Sequence, residues 1–417
     1  MSSISMDEPR LAARTIGPPN GGTSAWLKVF GCFLIFINTY GIASSFGSYQ
    51  AFYEIHGLPG YSPSAISWIG TVQVFLLGFM GILAGPLYDR GHVCLLLATG
   101  CFMLVFGFFM LSISHEFYQI MLSQGVCVGL GTGLTYVPAV SLISNTFTTK
   151  RPIANGLAAS GSAVGGVLLP VIFRYLTPSI GLHWVNRIFG FMTLGISIAA
   201  VALLRPEDLH QQRHHKSFFD ASALKEPSYV LLCLGLFFLE LGYWIPPFMI
   251  TPYARLSLGT SADFAFYLLA IMNAAGFVGR IVPAFAAQIR VIGPAWTLFV
   301  GVLSLGILVL SWLAIKSVVG LTVWCILVGF MSGITVSLPN AVVPRLSPSA
   351  SVVGARTGMM WSFVSFAALI GAPIAGALVD PQTNSYKHGQ MFSGISICFA
   401  AALLTVPAIQ VGRKRTE

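Results

Sequence analysis

The chain has 417 residues, 55% of them hydrophobic and only 8% charged, with a mean hydropathy of +0.81 and a formal net charge of +9. A soluble domain carries roughly 25% charged residues, so a water-exposed globular fold is excluded. The basic residues are scattered through short loops and form no stripe, which argues against a nucleic-acid partner. The seven cysteines lie in apolar runs without a CxxC pair, so no disulfide framework, metal centre or cofactor is expected.

Residues 1–25 are polar, include PPNGG, and read as a disordered cytosolic tail without a signal peptide. Six apolar runs follow, at 27–46, 67–88, 94–113, 118–143, 153–176 and 185–204, each near the roughly 20 residues that cross a bilayer. The interval 205–227, RPEDLHQQRHHKSFFDASALKEP, mixes both charges with three histidines and reads as a solvated cytosolic connector. Six further runs cover 228–250, 264–287, 296–315, 321–342, 352–378 and 394–411, and a basic cytosolic tail occupies 412–417. The expected fold is therefore an all-α membrane protein of twelve transmembrane helices in two six-helix bundles, 26–204 and 228–411.

Basic residues crowd the turns on the side of the N-terminus: Arg10, Arg14, Arg90, Lys150, Arg151, Arg213, Arg290, Arg345 and Arg356 among them. Few occupy the other side, where Arg174 and Arg187 read as headgroup-level anchors, with attraction of organic anions as the alternative. Cytoplasmic loops carry the excess of Lys and Arg, so both termini are expected inside. The fourth and fifth runs are glycine-rich, and GLGTG at 129–133 reads as close helix packing. A dinucleotide loop would need a preceding strand.

The turn after the second run reads GPLYDRG, Gly85 to Gly91. It resembles the G-x-x-x-D-R-x-G signature of the major facilitator superfamily, whose Asp89 and Arg90 equivalents latch helix ends through charge-assisted bonds. Gly91 comes one position early, and the corresponding place in the second half has Gln288 where an acid is common. Three more stretches resemble the monocarboxylate-porter branch, its fungal members in particular. PPNGGTSAW at 18–26 looks like the entry motif. FTTKRPIANGLAASGSAVGG at 147–166 matches the second signature through Lys150, Arg151, Gly156, Gly161 and Gly165. SLPNAVVPRLSP and GARTGMMWSFVSFAALIGAPIAGAL resemble its tenth and eleventh helices.

The resemblance implies a transporter working by alternating access around a midplane cavity. Animal members couple protons to monocarboxylates through a lysine in the first helix and an Asp-Arg pair in the eighth. Here NTYGIASSFGSYQ has no lysine, and in NAAGFVGR Arg280 aligns with the arginine while Gly276 takes the acid's place.

An ionisable group in mid-membrane marks a functional candidate. Glu240 is the clear case, lying about 18 Å into its run at 1.5 Å per residue, ahead of Pro246 and Pro247, which should kink the helix. Asn273 is expected at its level. The same rise puts Arg280 roughly 25 Å down the eighth run, near the inner surface, as an anion contact or a structural anchor. Glu240 is either the carrier of a coupling proton or a neutral acid bonded to a neighbouring helix. Tyr40, Asn38, Tyr136, Tyr243, Trp244 and Asn340 are further candidates for the cavity lining.

The expected protein is a non-enzymatic secondary transporter of a small organic acid or related metabolite, with or without protons. Export of a secondary metabolite is one direction it serves. The alternative is a membrane sensor of the same fold without flux. Its partners are the lipid bilayer and a small molecule, and its membrane is the plasma membrane, with the vacuole or another endomembrane as the second choice.

Overall fold

The computed structural model describes residues 21–58, 60–204, 220–289, 292–349, 352–378 and 386–413. Among them are eleven helices long and apolar enough to cross a membrane, and no strand. The longest, Arg151–Leu204, has 54 residues and would measure about 80 Å if straight, far more than the roughly 30 Å hydrocarbon core. It is interrupted at Gly181, whose φ of 78° and ψ of 159° lie where only glycine sits without strain. It is therefore two spans, and the total is twelve.

In chain order the spans are α1 Thr23–Phe52, α2 Ser64–Asp89, α3 Val93–Leu111, α4 Phe117–Thr146, α5 151–180, α6 182–204, α7 Pro227–Leu256, α8 Asp263–Ala286, α9 Gly293–Ala314, α10 Val318–Leu346, α11 Val353–Ala375 and α12 Lys387–Val411. Several outrun the apolar runs that announced them. The tail expected over 1–25 ends sooner, because α1 starts at Thr23 after Gly22, which has φ 87°. At its other end α1 passes the expected Phe46, helped by a Gln50 Nε2 to Glu54 Oε1 bond of 2.9 Å one turn apart. The rest of the expected tail over 1–20, the greater part of the connector over 205–219, and 414–417 lie outside the described residues.

Helices α1–α6 pack as one bundle and α7–α12 as another, and the bundles meet chiefly where α5 faces α8 and α2 faces α11. Lipid offers no hydrophobic drive for helices to associate, so contact depends on small residues that let backbones close. The glycines of the fifth helix do this in two directions. A Cβ on Gly161 would lie 2.9 Å from the Phe33 carbonyl carbon of α1, and one on Gly165 would lie 2.8 Å from Gly41 Cα. Facing the other bundle, a Cβ on Gly156 would lie 2.7 Å from Ala284 Cβ of α8.

The described chain ends, near Thr23 and Arg413, share one face of the molecule, here the terminal face; the opposite one is the distal face. The bundles are sealed together on the terminal face. Gly81 and Gly85 of α2 abut Gly358 and Gly354 of α11, and Ser362 Oγ donates to the Phe79 carbonyl at 2.8 Å.

Candidate functional site

Two adjoining spaces lie behind the terminal seal, the outer between the bundles and the inner mostly among helices of the second. A vestibule of about 630 Å³ opens on the distal face, and beneath it is a tight cavity of about 30 Å³. They share the wall residues Gly47, Pro247, Phe248 and Leu269. Ser44, Tyr243, Trp244, Asn273, Arg280 and Ser332 supply the polar part of the cavity lining.

The path of α7 shapes this cavity. Pro246 has no N–H for the Gly242 carbonyl one turn earlier, and that oxygen instead accepts from Ser393 Oγ of α12 at 2.8 Å. The helix turns at Trp244, φ −77° and ψ −11°, before resuming at Ile245. The turn brings Tyr243 and Trp244 to the cavity and Phe248 to its upper wall.

Arg280 enters from the α8 side. Its backbone lies toward the terminal face, as the residue count predicts, but its side chain does not stay there. Helical side chains point toward the helix N-terminus, and the guanidinium runs back along α8 into the cavity, leaving the residue only 3% exposed. Gly276 makes the room: a Cβ there would stand 2.6 Å from Arg280 Nη1. Its Nε and Nη1 have no hydrogen-bond partner among the described residues, and Tyr243, Asn273 and Ser332 share the cavity lining with it. The expectation that Arg280 sits at the inner surface is therefore corrected. Depth along a helix locates the Cα, while a long side chain is displaced by most of a turn.

Behind the cavity residue Trp244 lies a polar and aromatic cluster that joins the bundles. Trp361 Nε1 of α11 donates to Asn340 Oδ1 of α10 at 2.9 Å, and Asn340 Nδ2 donates to the Tyr136 hydroxyl of α4 at 3.2 Å. The Tyr40 ring of α1 meets that of Tyr136 edge-on with centroids 5.2 Å apart, and stacks on Trp244 with centroids 6.4 Å apart and planes 12° apart. Tyr40 itself lies in a widened π turn of α1, Ile37–Gly41, a feature frequent at functional positions. Glu240 is 6% exposed, and its Oε2 accepts from Trp244 Nε1 at 2.8 Å.

The structure thus brings Tyr243, Trp244 and Arg280 into one cavity lining, while Glu240 and Tyr40 reach it only through Trp244, and Tyr136 and Asn340 lie behind them. It does not pair Glu240 with Asn273, whose Nδ2 donates to the Leu269 carbonyl of its own helix. The Asn273 carboxamide oxygen faces Gly166 of α5 instead. Asn38 also departs, donating to the Thr193 carbonyl and Ser197 Oγ of α6 at 3.2 Å each, within its own bundle. Trp361 was not foreseen, although it lies inside the GARTGMMWSF stretch; an indole N–H in a span needs a partner, and that was the available signal.

The motif residues gather on the terminal face. Asp89 Oδ2 accepts from the Ala355 N–H at 2.8 Å, so the carboxylate caps the first turn of α11 across the bundle seam, where the helix dipole favours an anion. Arg151 Nε donates to the carbonyls of Ser144 and Phe147, satisfying the end of α4. Lys150 is exposed. Gln288, standing where an acid was the expectation, donates through Nε2 to the Thr149 carbonyl at 2.6 Å, an uncharged tie across the second seam. One residue beyond Ala355, Arg356 is fully buried and held by Asp220 at 2.7 Å, by Glu226 at 2.6 Å and by the Leu346 carbonyl at 3.0 Å. The end of the connector is therefore clamped to α11 and is not merely solvated.

Comparison with known proteins agrees with this architecture. The family model of the Major Facilitator Superfamily matches residues 29–368. The chain is a member of the major facilitator superfamily. This makes it a multi-pass membrane transporter rather than an enzyme. Relatives of this member include the MFS-type transporter dbaD of Emericella nidulans, 35% identical over 96% of this chain and 91% of its own length. The Aspyridones efflux protein apdF of the same organism is 35% identical over 92% of this chain and 78% of its own. The Fujikurins efflux protein of Gibberella fujikuroi is 34% identical over 93% and 83%.

Proposed function

We propose that this transporter exports an amphipathic organic acid, a secondary metabolite, by alternating access. The observation that carries the reading is Arg280. A buried guanidinium without a counter-charge is unfavourable by several kcal/mol, and a carboxylate entering the cavity would relieve that. The rest of the lining fits such a molecule: apolar walls from Leu305, Val309, Val328 and Ile397, with Tyr243, Asn273 and Ser332 as hydrogen-bonding groups. No acidic residue lines the cavity to compete for the arginine. The names of the relatives, two of them efflux proteins for fungal metabolites, support the direction.

The finer reading places the chain in the monocarboxylate-porter branch with an altered coupling group. Gly276 stands where the branch has an acid, and Glu240, on α7 beside Trp244, takes the proton in its stead. Both termini face the cytosol, so the vestibule faces outward and the sealed terminal face inward, with 205–227 as the cytosolic connector between 26–204 and 228–411. The plasma membrane is the site of action, with an endomembrane as the alternative. Counterflow in proteoliposomes with a panel of aromatic and aliphatic carboxylic acids and their methyl esters tests this. The reading requires exchange of at least one acid and none of its ester. Failure of every acid to exchange, while the protein binds one of them, would instead indicate a sensor.

A further inference from the structure

The conformation described here leaves little room at Arg280. A cavity of about 30 Å³ holds no more than a few waters, whereas ligand sites for drug-sized molecules run about 300–1,000 Å³. The vestibule, at about 630 Å³, is of that size. A molecule bound to this state therefore rests in the vestibule, on the wall formed by Pro247, Phe248 and Leu269.

The vestibule lining is chemically specific. Phe52, Phe173 and Phe266 supply aromatic surface from α1, α5 and α8. Two arginines from different bundles face it, Arg174 of α5 and Arg255 of α7. Arg174 is occupied: it pairs with Asp263 and lies over the rings of Phe266 and Tyr267, with its Cζ 5.1 and 5.7 Å from their centroids. That arrangement fixes the α5–α8 edge of the vestibule. Arg255 is exposed and has no ion pair or hydrogen bond among the described residues. The one acid in the lining, Glu54, is engaged by Gln50. His56 stacks on Phe52 with ring centroids 5.4 Å apart. Aromatic walls with one uncommitted cation describe a seat for an amphipathic anion.

We infer that the vestibule is a second ligand site, where the apolar body of an organic acid lies against Phe52, Phe173 and Phe266 while its carboxylate meets Arg255. The inference rests on the organic-acid reading and extends it: one molecule waits in the vestibule when Arg280 is occupied or sealed off. Substrate passes between the two sites only when the shared wall at Phe248 and Leu269 yields.

Equilibrium binding of radiolabelled benzoate, 2-naphthoate and dodecanoate to the purified full chain in nanodiscs tests it. The expected result is two sites for the best ligand of the three. Arg280→Gln keeps one of them, and adding Arg255→Gln weakens that one at least fivefold. Lys316→Gln, a charge change on the same face outside the vestibule, leaves both unchanged. The inference is overturned if Arg280→Gln retains no site, if none of the three acids binds, or if the retained site is indifferent to Arg255→Gln. Failure of the organic-acid reading gives a different pattern: Arg280→Gln alone leaves both sites intact.

Discussion

The terminal seal makes a quantitative prediction through Gly358→Ala. The new Cβ would lie 2.8 Å from the Gly81 carbonyl carbon and closer still to its oxygen, against an ordinary carbon–carbon contact of about 3.5–4.0 Å. Both obstructing atoms are backbone, so no rotamer change relieves the overlap, and α2 and α11 must part by about 1 Å. The same displacement stretches the bond from Ala355 N–H to Asp89 Oδ2, now 2.8 Å, beyond hydrogen-bonding distance. A hydrogen bond to a charged group contributes about 1.5–3 kcal/mol. Losing about 2 kcal/mol from the sealed state alone shifts the balance toward the terminal-open state roughly 30-fold. Electron–electron resonance between spin labels at His92→Cys and Ser349→Cys, in a background without the seven native cysteines, reads the separation across this seam. The variant is expected to populate a longer distance that is minor in the parent. Ser362→Ala, which removes the 2.8 Å bond to the Phe79 carbonyl and the 3.4 Å one to the Gly78 carbonyl, should move the same way by about 1 kcal/mol. Unchanged distance distributions in both folded variants would refute the reasoning.

Other substitutions probe separate parts of the account. Gly161→Val sets side-chain atoms against the Phe33 backbone and should destabilise the α1–α5 contact by about 1–3 kcal/mol, read as a lower melting temperature in detergent. Glu240→Gln should abolish acid accumulation driven by a pH gradient while leaving counterflow, and unchanged gradient-driven transport would remove Glu240 from coupling. Asp220 gives a pH dependence. Partial burial pushes its carboxyl up, but hydrogen bonds from Ser222 and Arg356 and the guanidinium charge outweigh this and hold it below the usual carboxylate range. A depressed folded-state value means the stabilisation is full above the ordinary carboxylate pKa and is lost as pH falls through the lowered one. The acid limb of thermal stability should therefore flatten in Asp220→Asn, which starts lower at neutral pH.

Much of the fold could be read in advance because a bilayer permits few solutions. Backbone groups in hydrocarbon must be satisfied within the span, so twelve apolar runs imply twelve helices, and Gly181 divides the one run of helix that exceeds a span. Motif glycines were legible for the same reason: Gly161 and Gly165 have backbone neighbours that leave no space for a side chain. Side-chain partnerships across the chain were not. Arg356 meets Asp220 and Glu226 from 130 or more residues away, and in the sequence all three read as loop charges. Arg280 was misplaced for a different reason. Counting residues ignores the direction in which a helical side chain leans, and Gly276 reads as a missing acid before it reads as the space for a guanidinium.

Whether Arg280 binds the anion of the cargo is the point on which the functional reading stands. Counterflow of the exchanged acid should fall at least a hundredfold in Arg280→Gln and recover in part in Arg280→Lys, which restores charge without the planar fork. Gly276→Asp, placing a carboxylate beside Nη1, should inhibit in the same manner by occupying the arginine. Parental counterflow in a folded Arg280→Gln protein would contradict the account.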